Sequence, residues 1–78
     1  MLEKFVTAKE LAKDLKVSVA TINYYTNIGL FKVGVRKGNV RLYDKKGISS
    51  VFDTITNMRK EGYTLRLIQR RFDKGYSV

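Results

Sequence analysis

The sequence predicts a mainly α domain of about four short helices, with a small two-stranded antiparallel hairpin between the second and third. Apolar residues recur at three- and four-residue steps in separate blocks, and each block opens at a hydroxyl or carboxylate residue suited to cap a helix. Between Phe31 and Tyr43 the spacing changes to alternation around Gly38-Asn39. The chain has no proline, no internal repeat and no low-complexity tract to interrupt this order.

The first helix opens at Thr7. Thr7 and Glu10 fit a capping box, in which each side chain satisfies the other residue's free backbone amide. Ala8, Leu11, Ala12 and Leu15 then share one face. Lys16-Val17 makes a tight turn and Ser18 caps a second helix, which is expected to bury Val19, Ile22, much of Tyr25 and Ile28 before Gly29 ends it. Phe31, Val33 and Val35 alternate with Lys32, Gly34 and Arg36, and Val40 and Leu42 alternate with Arg41 and Tyr43. The intervening Arg36-Lys37-Gly38-Asn39 supplies a turn whose Gly-Asn pair tolerates positive φ. An isolated hairpin is marginal in water, so its apolar face is expected to rest on the helices. Asp44 caps a third helix with Ile48, Val51, Phe52, Ile55 and Met58 on its inner face, and Gly62 stops it. Thr64 caps a fourth, in which Leu65, Ile68 and Phe72 face inward before Lys74-Gly75 ends it.

Seventy-eight residues form one domain, 1–78. A chain of this size buries only about 60% of the surface its unfolded form exposes, and it has no second lobe with which to build a deep substrate cleft. Cysteine and histidine are both absent. Disulfides, thiolate chemistry, the commonest metal ligand and the usual general base near neutral pH go with them. An enzyme is therefore not expected, and neither is a metal or any other cofactor.

Lysine and arginine number 16 against 7 aspartate and glutamate, a formal net charge of +9. That balance favours a polyanionic partner: DNA, RNA or an anionic membrane surface. No run approaches the roughly 18 apolar residues of a membrane span, and no stretch combines dense positive charge with bulky exposed apolar groups. Residues 1–6 lack the apolar stretch of a signal peptide. The expectation is a cytoplasmic, nucleoid-associated protein with no membrane partner.

The second helix decides among the polyanions. Opposite Val19 and Ile22 it presents Ala20, Asn23, Tyr24 and Asn27, with Thr21 at the flank. An ordinary solvated helix face carries Lys and Glu instead. In a helix-turn-helix the start of the second helix meets base edges while the first helix crosses the backbone. Thr21 suits a base or a thymine methyl, Asn23 suits adenine, and Ser18 with the free amides at its helix start suits a phosphate oxygen. Tyr24 offers a hydroxyl to phosphate and a ring to the groove wall. The aromatics do not form the stacking platform of a sheet-based RNA binder. Duplex DNA is the expected partner.

Four motifs in register then carry a family resemblance over nearly the whole chain. Val17-Ser18-Val19, Thr21-Ile22-Asn23-Tyr24-Tyr25 and Ile28-Gly29-Leu30-Phe31 resemble the opening of the MerR family of winged helix-turn-helix regulators. Val40-Arg41-Leu42-Tyr43 resembles that family's second wing strand. The run from Met58 to Leu65, followed by Ile68, resembles its later Leu-Arg-x-x-Gly-aromatic-hydroxyl-Leu-x-x-Ile pattern. The resemblance implies a transcriptional regulator that binds inverted repeats as a dimer, with helix 18–28 in the major groove and wing 31–43 on the flanking backbone. It implies phosphate or groove contacts from Tyr24, Tyr25, Arg41 and Arg59, with Arg36 and Lys37 at the wing tip. Lys16, Ser18, Ala20, Thr21, Asn23 and Tyr43 complete the expected DNA-binding set.

The departures are informative. Arg is common in the family where this chain has Ala20, and nearly universal where it has Asn23. The family's glycine before Val-Ser is Lys16 here, and Arg66, Arg70 and Arg71 replace acidic residues common in the last helix. Losing cations from the second helix weakens phosphate anchoring there and changes base preference. Family members usually continue into a dimerisation helix and an effector domain. The expectation is therefore the DNA-binding part of a longer regulator, or a small protein with no small-molecule effector. Self-association then occurs on DNA or through a C-terminal helix beyond this chain, with Phe72, Tyr76 and Val78 as a candidate contact. The alternative function is an architectural factor of the same fold, excisionase-like or organising a chromosome or plasmid.

Overall fold

In a computed structural model that describes residues 4–73, the order is β1 (Phe5–Val6), α1 (Ala8–Leu15), α2 (Val19–Asn27), β2 (Val35–Lys37), β3 (Val40–Asp44), α3 (Lys45–Lys60) and α4 (Leu65–Asp73). The expected helix end at Lys74-Gly75 and the contact through Tyr76 and Val78 lie outside the described residues.

Each helix starts where its cap residue stands. The Thr7 hydroxyl accepts the Glu10 amide at 3.2 Å while Glu10 Oε1 accepts the Thr7 amide at 2.9 Å, completing the capping box. Ser18 accepts the Thr21 amide at 3.1 Å, Asp44 the Gly47 amide at 3.4 Å, and Thr64 the Leu67 amide at 3.2 Å. These bonds satisfy amides that a helix start otherwise leaves orphaned.

Three of the helices end alike. At each, one residue turns left-handed and the two amides there close back onto the last turn, the Schellman arrangement. Gly29 and Leu30 donate to Thr26 and Tyr25, and Gly62 and Tyr63 donate to Arg59 and Met58. Gly29 and Gly62 have φ of +87° and +101°. At the end of α1 the same bonds run from Lys16 to Lys13 and from Val17 to Ala12, but the left-handed residue is Lys16, with φ 60° and ψ 43°. Among the described residues no other non-glycine has positive φ.

The sheet has three antiparallel strands in the order β1-β3-β2, one more than the expected hairpin. Phe5 pairs with Asp44 and Val6 with Tyr43, while Val35, Arg36 and Lys37 pair with Leu42, Arg41 and Val40. A two-residue strand is too short to leave a readable alternation, so β1 is legible only in three dimensions. Gly34 permits its approach: a Cβ there would sit 2.9 Å from the Phe5 ring. The turn is Gly38-Asn39, with Gly38 at φ +63° and Arg36 and Lys37 in the strand before it.

The core draws on every element except β2: Val6, Leu11, Ile22, Leu30, Phe31, Tyr43, Ile48, Ile55, Met58 and Ile68 are buried. Tyr25, Phe31 and Phe52 form a chain of edge-on rings, with centroids 5.2 and 6.4 Å apart, that joins α2 to α3. Two expectations are corrected. Val19 is 40% exposed, because side chains at a helix start lean back over the preceding turn instead of onto the core. Val35 and Val40 are 41% and 49% exposed. The regular ladder starts at Val35, not Phe31, and none of the described residues covers its outer half.

Candidate nucleic-acid interface

Helix α2 has the sequence Val-Ala-Thr-Ile-Asn-Tyr-Tyr-Thr-Asn and carries no charge. Ile22 anchors it in the core, which turns Ala20, Asn23, Tyr24 and Asn27 outward, all exposed. Tyr24 is 51% exposed and tilts against the half-buried Tyr25 at 6.1 Å.

The hairpin is fastened to this helix at one point. Tyr43 is fully buried, and its hydroxyl lies 2.9 Å from Thr26 Oγ1. The Thr26 hydroxyl already donates to the Ile22 carbonyl at 2.8 Å. With that proton committed, Tyr43 is the donor, and a relay runs from β3 through Thr26 into the backbone of α2. Tyr43, an expected DNA contact, is thus a buried residue at the groove, with its hydroxyl turned to Thr26.

Strand alternation places Arg41 on the Tyr43 side of β3. There a groove opens between the start of α1, the outer face of α2 and the hairpin. Lys9, Asn23, Asn27, Asn39 and Arg41 are its polar side chains, with Thr7 and Tyr43 at its base. Among the described residues no carboxylate lines it. The side-chain amides of Asn23, Asn27 and Asn39 have no hydrogen-bond partner among the described residues, and the ion pair found among those residues joins Lys45 to Asp14 at 3.3 Å, away from this groove. Arg36 faces Arg41 directly across the hairpin. Like charges opposed on a ladder cost stability unless an anion lies between them.

Of the expected contacts, the groove gathers Asn23, Arg41 and Tyr43. Lys16, Ser18 and Thr21 cluster at the start of α2, where the Ser18 and Thr21 hydroxyls are 3.0 Å apart. Ala20 and Tyr24 lie on the outward stripe, Arg36 and Lys37 on β2, and Arg59 is exposed in the last turn of α3, outside the groove. The expected set omitted Lys9, Asn27 and Asn39. Lys9 leaves a trace in the sequence, since a cation in the first turn opposes the helix dipole. Asn27 was legible on the outward face without an assigned contact, and Asn39 reads only as a turn former.

A capped helix pair, a basic hairpin packed beside the second helix and a groove between them lined by amides and cations define a winged helix-turn-helix domain. The family model described as MerR HTH family regulatory protein matches residues 6–75, and the chain belongs to that family of DNA-binding transcription regulators. No curated protein and no solved structure gives a significant match. Among the described residues no helix is long and apolar enough to cross a membrane.

Proposed function

We propose that this chain binds duplex DNA in sequence-specific fashion to regulate transcription, with α2 entering the major groove and the β2–β3 hairpin following the flanking backbone. The observation that carries the reading is the groove between them. Exposed amides from α2 and cations from α1 and β3 share one concave surface that has no carboxylate among the described residues. Phosphates fix a protein's register on the duplex and base edges supply its specificity, so both kinds of group are needed together. Arg36 and Arg41, opposed across the hairpin, are relieved by a phosphate placed between them.

Titration of labelled duplex at several salt concentrations tests this. The logarithm of affinity should fall with a slope of about 0.9 for each phosphate neutralised. Equal affinity for duplex, single strand and RNA, without a salt slope, rules the reading out. The arrangement of selected half-sites then separates the regulatory from the architectural role: inverted repeats mark a dimeric regulator, and direct or tandem repeats mark a filament-forming organiser.

A further inference from the structure

We infer that the recognition surface is built to read A·T base pairs, with Asn23 and Asn27 each taking an adenine and Ala20 facing a thymine methyl. This rests on α2 entering the major groove. Beside Tyr24, the outward stripe of α2 consists of Ala20, Asn23 and Asn27, side chains that suit A·T pairs. Asparagine pairs in bidentate fashion with adenine N6 and N7, and alanine packs against the thymine methyl, whereas guanine is read by arginine or lysine. No arginine or lysine occurs anywhere in α2. Both asparagines are exposed and line the same groove, and their side chains have no hydrogen-bond partner among the described residues, so their amides are free for a base edge.

Their spacing suits two bases. Four residues of helix advance about 6 Å, and two base steps advance about 7 Å. A helix lying along the groove therefore sets Asn23 and Asn27 over bases two steps apart. The cations that anchor such a helix, Lys9 and Arg41, stand at the groove's edges on other elements, where phosphates run.

Sites selected from random duplex by the whole chain should carry adenine at two positions two steps apart. Replacing either A·T pair by G·C should weaken binding about 5- to 150-fold. Asn23→Arg should convert the preference at one position from adenine to guanine and leave the other unchanged. Asn27→Ala should flatten only the second position. Replacing either adenine by 7-deazaadenine removes the N7 acceptor while keeping the base pair. It should weaken the wild type and leave the matching Asn→Ala variant indifferent, which separates amide contact from the narrow-groove shape of A·T tracts. Guanine at these positions, no base preference, or 7-deazaadenine without effect overturns the inference. If duplex binding with a steep salt slope persists in those cases, the proposed function stands without it. Failure to bind any duplex overturns both.

Discussion

Lys16 occupies the left-handed position that glycine fills at the other two Schellman ends, with φ 60° against +87° and +101°. An L-residue there costs about 1–2 kcal/mol because Cβ crowds the following carbonyl. Glycine removes that cost but gives back about 0.5–1 kcal/mol through the greater freedom of its unfolded chain. Lys16→Gly should therefore stabilise the domain by roughly 0.5–1 kcal/mol. For a domain of this size that corresponds to a rise in Tm of about 2–8 °C. Thermal and urea unfolding followed by circular dichroism measures it, at high salt so that the lost charge near the α1 C-terminus contributes little. Lys16→Ala keeps the Cβ and should gain nothing, and Lys16→Asn should fall between. Equal stability of the Gly and Ala variants refutes the reasoning, because strain at Cβ is then not what the substitution relieves. The same change removes a cation two residues before the Ser18 cap. Duplex affinity should therefore fall as stability rises, with a salt slope shallower by about 0.9.

Thr26→Val should cost about 1–3 kcal/mol by leaving the buried Tyr43 hydroxyl without an acceptor, whereas Tyr43→Phe leaves Thr26 bonded to Ile22 and should cost about 1 kcal/mol; chemical denaturation of the pair checks the order. Arg36→Ala should stabilise the free protein by about 0.2–1 kcal/mol while weakening duplex binding, and a loss of stability without DNA contradicts the opposed-charge account. Arg41→Ala should lower affinity for all duplexes alike and reduce the salt slope by about 0.9, with competition assays on matched and mismatched sites as the readout.

The helices were readable because each carries its own stop and start signals. Thr7, Ser18, Asp44 and Thr64 each bond the amide three residues on, and Gly29 and Gly62 end helices where their left-handed φ is needed. Those signals are local and survive reading one residue at a time. What was not legible depends on distant segments. β1 exists because Phe5 and Val6 find the free edge of β3, and Gly34 is a close-approach residue only in relation to Phe5. Tyr43 carries the same motif signal as the half-buried Arg41, and only the packing of β3 on α2 reveals that Tyr43 is fully buried while Arg41 is partly open to the groove. Lys9 and Asn39 lie far apart in sequence from Asn23, so no spacing rule brings them to one surface.

The placement of charge bears on how affinity and specificity divide. The chain carries a net charge of +9, yet its outward helix is neutral, and the cations nearest it are on α1, the turn and the hairpin. Attraction to phosphate acts equally on every sequence, so cations on flanking elements raise binding to all duplexes together. A neutral helix between them gains nothing from a wrong site, since its exposed amides then exchange water for no partner. An arginine in place of Asn23 adds attraction to right and wrong sites alike, and genomic specificity depends on their ratio. On the proposed reading, the absence of charge from α2 would let so basic a domain discriminate, because Asn23 and Asn27 would gain only where a particular base matches them.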